Sequence, residues 1–186
     1  MRRVSASRPE SAGRPRVLVL GGGFGGIGAA KKLAKTPVDV VVVDRHDYHT
    51  FQPLLYQLAT GLLEQPAVGH SIRDLFDKQD NVRVHKDSVV SIDLDAREAR
   101  FDELAPQSYD YLVLALGAEV NFFGVEGAAE HGFPLYTLPD AVRLKDHVLE
   151  RWEAADRDPD PEPPPPRSGM VQPAPRAAGV RRRPSE

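Results

Sequence analysis

Cysteine is absent from the 186 residues. That excludes disulfide staples, thiolate metal sites and thiol-based redox catalysis by this chain. A basic surplus is absent as well: 24 Lys+Arg stand against 27 Asp+Glu, a net charge of −3. A nucleic-acid binder would carry a strong basic excess, so no nucleic-acid partner is expected. No apolar run approaches the ~18 residues needed to span a bilayer, so no transmembrane segment is expected. The stretch from Met1 to Pro9 is basic, yet no apolar segment of signal-peptide length follows it. It reads as a disordered lead rather than a secretory or twin-arginine signal, and the cytoplasm is the expected compartment. The six histidines show no clustered ligand spacing; His46 and His49 are three apart, and Asp47 is the one further carboxylate between them. No metal site is expected from that pattern.

What is present falls into regions. Residues 1–16 hold five Arg and one Glu, and residues 17–155 hold 13 basic and 21 acidic groups. An acidic body thus lies between two Arg-bearing ends, which argues again against nucleic acid. From Pro159 onward, the last 28 residues hold nine of the 17 prolines and no Leu, Ile, Phe, Tyr or Trp. Such a segment buries too little apolar surface to offset an ordering cost of roughly 1–2 kcal/mol per residue. The expected organisation is a disordered lead over 1–15, a nucleotide-binding domain over 16–136, a connecting helix over 137–158 and a disordered Pro/Arg-rich tail over 159–186.

Within the body the pattern is α/β. Arg16-Val17-Leu18-Val19-Leu20 reads as a buried strand, Ile27 to Lys35 as a helix, and Val38 to Val43 as a β-branched buried strand. Strand, turn, helix and strand in so short a span make a βαβ unit with parallel strands. Asn81–His85 reads as a third parallel strand, Val89–Leu94 and Arg97–Phe101 as an antiparallel excursion, and Tyr109–Leu116 as a further buried strand. Thr137-Leu138-Pro139-Asp140 resembles a capping box, with a long amphipathic helix behind it.

The turn after the first strand, Gly21-Gly22-Gly23-Phe24-Gly25-Gly26, contains a GxGxxG spacing. Gly21 lets the chain turn sharply out of the strand. Gly23, without a Cβ, lets a pyrophosphate approach the backbone. Gly26 lets the helix pack close to the sheet. The helix N-terminus then offers free N–H groups to phosphate oxygens. Asp44 ends the second strand, where a carboxylate accepts hydrogen bonds from adenosine ribose hydroxyls. A lone GxGxxG is weak, but here it has a strand before it, a helix after it and an acid at the next strand's end. The fingerprint points to an ADP moiety and leaves FAD and NAD both open.

Past Asp44 the chain reads Arg45-His46-Asp47-Tyr48-His49-Thr50-Phe51-Gln52-Pro53-Leu54-Leu55-Tyr56-Gln57-Leu58-Ala59-Thr60-Gly61. This run, following GGGFGG, resembles the type II NADH dehydrogenases, FAD-dependent pyridine nucleotide oxidoreductases that oxidise NADH and reduce quinone. The resemblance covers roughly residues 16–158. It implies that FAD is the first nucleotide, with Gly21, Gly22, Gly23, Phe24, Gly25 and Gly26 at its pyrophosphate and Asp44 and Arg45 at its adenosine end. It further implies Pro53, Leu54 and Leu55 near the flavin ring, the backbone of Val89 or Val90 at the adenine, and Ala115, Leu116 and Gly117 lining the cavity. That last turn departs from the family's Ala-Thr-Gly, because Leu116 replaces the hydroxyl. Tyr48, Phe51 and Tyr56 are candidates for ligand stacking, with core packing the plainer alternative. No catalytic residue is singled out. For the intact relatives the resemblance implies NADH and quinone as partners and peripheral contact with the cytoplasmic face of a membrane.

The resemblance also implies parts this sequence does not contain. The body has only one glycine turn with GxGxxG spacing, and the similarity fades near Asp158 into Pro, Arg, Ala, Gly and Ser. A GC-rich coding sequence read out of frame yields that mixture. A frameshift near codon 158 is therefore the expectation, beside a truncated paralogue or a fused disordered tail. The chain then reads as an incomplete, truncated FAD-binding portion, inactive alone for want of an NADH site. Two other readings stay open: a fragment of a ferredoxin reductase-like FAD/NAD(P) oxidoreductase, and a non-enzymatic nucleotide-binding remnant.

Overall fold

The computed structural model describes residues 13–157. The expectations for the lead and for the Pro/Arg-rich tail lie outside the described residues. Strand β1 (Arg16–Leu20) leads into helix α1 (Phe24–Leu33), and β2 (Asp39–Asp44) follows. Next come β3 (Tyr48–Thr50), a 3-10 turn at Gln52–Leu54, α2 (Leu55–Ala59), α3 (Gln65–Val68) and β4 (Gly69–Ser71). Then β5 (Val82–Lys86), β6 (Val89–Asp93), β7 (Glu98–Phe101), β8 (Gln107–Ser108) and β9 (Tyr111–Leu114) lead to α4 (Ala128–His131) and α5 (Leu138–Asp156).

Four strands form a parallel sheet in the order β5-β2-β1-β9. The period-2 alternation sends the side chains of β1 and β2 to opposite faces. On one face Val17, Val19, Val40 and Val42 pack with Ile27 and Ala30 of α1 and with Ile72 and Phe76. On the other, Leu18, Leu20, Val41 and Val43 pack with Ala99, Phe101 and Tyr109 of the antiparallel β6-β7-β8 layer. A sheet covered on both faces needs apolar residues at every position of its central strands, which is why β1 and β2 read as continuous runs. A third cluster joins Leu55, Leu58 and Ala59 of α2 to Leu138 and Ala141 of α5.

Two expectations are corrected, and one run without an assigned element gains one. Helix α1 starts at Phe24 rather than Ile27, because Gly23 serves as its N-cap and the glycines form its first turn. The strand expected to be buried over Tyr109–Leu116 is the shorter β9 and lies at the sheet's edge, leaving Tyr111 63% and Leu114 59% exposed. The run after Asp47, given no structure from sequence, pairs Tyr48–Thr50 antiparallel with Gly69–Ser71 and then folds into α2. The capping box stands as read. The Asp140 N–H donates to Thr137 Oγ1, the Thr137 N–H donates to Asp140 Oδ2, and Pro lies in the first turn.

Three ionisable groups tie the fold to pH. Burial first, then Arg73, Arg83 and Arg16, hold His85 below its usual value, with Asp87 opposing. At Asp87 burial acts upward, but the amides of Leu104, Glu103, Ser88 and Asp102 outweigh it and hold the carboxyl low. At Asp140 burial again acts upward and is outweighed by the Thr137 side chain and amide, the Tyr136 amide and Arg143. In each case the unfolded chain binds the proton more tightly. The stabilisation is therefore complete above the unfolded value and is lost as pH falls toward the lower folded one. The thermal midpoint is expected to drop in a first step below about pH 6.5 and in a second below about pH 4. In His85→Gln the first step is expected to vanish while the second remains, which melting curves across a pH series will read.

Candidate functional site

The carboxyl ends of β1, β2, β5 and β9 lie side by side, and the sequence-derived site residues cluster there. Ligands of open α/β sheets bind at such an edge. Leaving β1, the chain turns at Gly21, whose φ of +107° lies in the left-handed region. A Cβ on Gly21 would stand 2.1 Å from the Ala115 carbonyl oxygen, so the turn and the end of β9 touch backbone to backbone. The Ala115 N–H donates to the Leu20 carbonyl at 2.8 Å, which fixes that approach. A Cβ on Gly26 would lie 1.8 Å from the Gly21 carbonyl oxygen. Around a Cβ built on Gly23 there is nothing within 4 Å. Two glycines are thus required by the protein's own packing, whereas the third faces open space.

Helix α1 begins beside that space without a side-chain cap and with no acid in its first turn. Its first amides have no intrahelical acceptor, and the positive end of the helix dipole favours an anion there. Asp44 closes the other side. Its Oδ2 accepts the Gly22 N–H at 2.6 Å and its Oδ1 accepts the His46 N–H at 2.7 Å. The two bonds orient the carboxylate across the end of β2 and leave further lone pairs for a ligand's hydroxyls. The Asp87 N–H donates to the Asp44 carbonyl at 2.8 Å and so brings the start of β6 alongside. Val89 is half-buried against the antiparallel layer, while Val90 sits at a register shift in the β6–β7 pairing and is exposed. Arg45 reaches Glu119, beyond the end of β9, at 3.6 Å in an exposed pair of little energetic weight.

The other sequence-derived residues divide. Ala115 lies against Gly21 and Gly25, Leu116 is exposed, and Gly117 turns the chain with φ +78°. Pro53 is exposed and Leu54 half-buried. Leu55 is 1% exposed and packs beneath α5. Of the aromatic residues, Phe51 packs edge-on to Phe24, with ring centres 5.5 Å apart. Tyr56 is largely exposed, and Tyr48 lies at the margin of the third cluster. Burial, then the charges of Asp47 and Asp44, push the Tyr48 hydroxyl upward, so it stays protonated at neutral pH.

Sequence reasoning missed His49. Its Nδ1 lies 3.1 Å from the Gly22 carbonyl oxygen, and its ring stands perpendicular to Phe24 at 4.8 Å. The only signal was the Tyr48-His49-Thr50 alternation, too short to separate a strand from a loop. Among the described residues no group of three His, Cys, Asp or Glu side chains is arranged to hold a metal ion, and no helix is long and apolar enough to cross a membrane. A cleft of about 870 Å³ lies elsewhere, against α5, with Tyr48, Gly69, Phe133, Arg143 and His147 in its lining. None of the glycine turn, Asp44 or Ala115–Gly117 borders it.

Comparison with known proteins agrees with this geometry. The type II NADH:quinone oxidoreductase NdhA of Mycobacterium tuberculosis is 37% identical over 157 residues, covering 82% of this chain and 33% of that protein. The enzyme Ndh of the same organism is 39% identical over 148 residues, covering 77% of this chain and 32% of its own length. The chain therefore spans about a third of the length of these curated relatives. Among solved structures, NDH2 from Plasmodium falciparum superposes with a TM-score of 0.70 at 22% identity, over 80% of this chain and 31% of that one, a likeness of fold. The pyridine nucleotide-disulphide oxidoreductase pattern matches residues 15–155. With its glycine turn, the Asp44 carboxylate at the end of β2 and the parallel sheet in place, the chain belongs to the pyridine nucleotide-disulphide oxidoreductase family.

Proposed function

We propose that the chain is the FAD-binding portion of an NADH:quinone oxidoreductase. The observation that carries this reading is the open space at Gly23, flanked by the uncapped N-terminus of α1 and the Asp44 carboxylate at the sheet's carboxyl edge. A pyrophosphate with an adenosine attached matches that donor set in charge and shape. The amides from Gly22 to Gly26 would hold the phosphates, Asp44 the ribose, Arg45 and the Val89 backbone the adenosine end. Pro53, Leu54 and Ala115 to Gly117 would line the side toward the ring. When bound, FAD supplies the group that takes a hydride from NADH and passes electrons to a quinone. The protein's contribution is to bind, orient and shield it. With no cysteine, this chain offers no dithiol to receive those electrons, which favours a small diffusible acceptor.

These 186 residues hold a single glycine-rich turn of this kind, at Gly21 to Gly28. We therefore expect them to bind flavin without turning over NADH by themselves. The whole protein would work in the cytoplasm, in peripheral contact with the membrane that holds its quinone.

Titration of the purified chain with FAD tests the reading. Saturable binding, competed by ADP, is expected. Asp44→Asn is expected to weaken it about tenfold, since hydrogen bonds to a charged group are worth about 1.5–3 kcal/mol. A folded chain that stays colourless and ignores added FAD would refute the reading and favour a nucleotide-binding remnant.

A further inference from the structure

Gly22 is held at both of its peptide groups. Its N–H donates to Asp44 Oδ2 at 2.6 Å, and its carbonyl oxygen lies 3.1 Å from His49 Nδ1. A carbonyl only accepts hydrogen bonds, so Nδ1 is the donor in this pair. The ring itself is fixed. It rides on β3, where His49 pairs with His70 of β4, and it meets the edge or face of Phe24 at 90°. Phe51 also packs edge-on against Phe24.

The consequence follows from peptide geometry. A peptide unit is planar and trans, so its C=O and its N–H point in opposite directions. A donor that holds the Gly22 carbonyl also sets the direction of the Gly23 N–H, in the same peptide plane. Gly23 is the residue beside which the protein leaves open space, and it directly precedes the first turn of α1. Glycine has no side chain to restrict the turn, so without an outside hold several orientations of this plane compete. Asp44 secures the preceding plane only.

We propose that His49 is a positioning residue for the dinucleotide turn, holding the Gly22–Gly23 peptide so that its N–H is preset to donate to a phosphate oxygen. The inference rests on the FAD-binding reading above and adds to it a residue that acts through the backbone rather than by touching the ligand. Holding the turn before binding removes an ordering cost that would otherwise weaken affinity.

Two variants of the full chain separate this role from packing. His49→Phe keeps a ring against Phe24 and removes the donor. His49→Asn keeps an N–H donor on a shorter arm. FAD affinity by fluorescence titration, thermal midpoint, and hydrogen exchange at the Gly22–Gly26 amides of the ligand-free chain are the readouts. Expected for His49→Phe is about tenfold weaker FAD binding, the loss of one donor's worth of free energy. Faster exchange in the turn should accompany it, with the midpoint little changed. His49→Asn is expected to recover most of the affinity. Wild-type affinity in His49→Phe, or unchanged exchange, overturns the proposal. So does a loss of affinity that tracks a loss of midpoint and that His49→Asn does not rescue, since that pattern is packing. A wild-type chain that binds no FAD refutes the function proposed above, and this inference with it, and is recognised at the first titration before any variant is made.

Discussion

Gly26→Ala is expected to lower the thermal midpoint by on the order of 10–20 °C, or to prevent folding. A Cβ there would lie 1.8 Å from the Gly21 carbonyl oxygen, far inside contact distance, and the next residue it meets, Val19 with Cγ1 at 3.3 Å, belongs to the core. Neither atom is the end of a flexible side chain. Relief requires moving α1 away from β1, which opens the cluster formed by Val17, Val19, Ile27 and Ala30. Core overpacking costs about 1–3 kcal/mol when side chains can adjust. A backbone collision belongs above that range, against a total stability of about 5–15 kcal/mol. Each kcal/mol moves the midpoint of a domain of this size by roughly 4 °C. Gly28→Ala is the control, two residues along the same helix and with nothing near a new Cβ. It should stabilise by about 0.5–1 kcal/mol, because glycine in a helix interior is entropically costly. If both variants melt alike, the close approach of α1 to the sheet is not what Gly26 is for.

Gly23→Val separates binding from folding in the same turn. Nothing lies within 4 Å of a Cβ on Gly23, and its φ of −78° suits any residue. Stability is expected to change by no more than about 1 kcal/mol, chiefly through the poorer N-cap that valine makes. The new side chain would instead stand in the space that a pyrophosphate needs. FAD affinity is expected to fall at least tenfold, about 1.4 kcal/mol or more. Thermal melting and FAD titration on one preparation read both numbers. Unimpaired binding in a folded Gly23→Val would place the phosphates elsewhere.

The contrast between these glycines shows what was legible in the sequence. Three roles were assigned from spacing alone, and two of them follow from the protein's own contacts: Gly21 against Ala115, Gly26 against Gly21. The third, at Gly23, shows only as space. Strands β1 and β2 were legible because a sheet covered on both faces demands apolar runs without interruption. β9 was misread for the same reason. Tyr111-Leu112-Val113-Leu114 has a central strand's composition yet lies at the edge, with no partner beyond it among the described residues. Composition reports what a strand's faces can bury, not what sits beside it. The Tyr48–Thr50 strand and the hold of His49 on Gly22 escaped because three residues carry no readable period, and because the partner is a backbone atom 27 positions away. Leu55 differs in burial from the residues beside it. Its neighbours Pro53 and Leu54 retain exposed surface, but its own side chain is sealed under α5.

The order β5-β2-β1-β9 also has a temporal meaning. The acid and the turn it grips are 22 residues apart, whereas the pairing of β1 with the β9 region joins residues 94 apart, as Arg16 does with Asp110. Contacts distant along the chain form late, since the loop between them must close first. The glycine turn and its carboxylate should therefore assemble early, and the wall contributed by Ala115 should arrive last. If the chain holds FAD as proposed, a nascent chain would present the glycine turn and Asp44 before Ala115 closes against them, and cofactor capture would coincide with the docking of β9 rather than precede it.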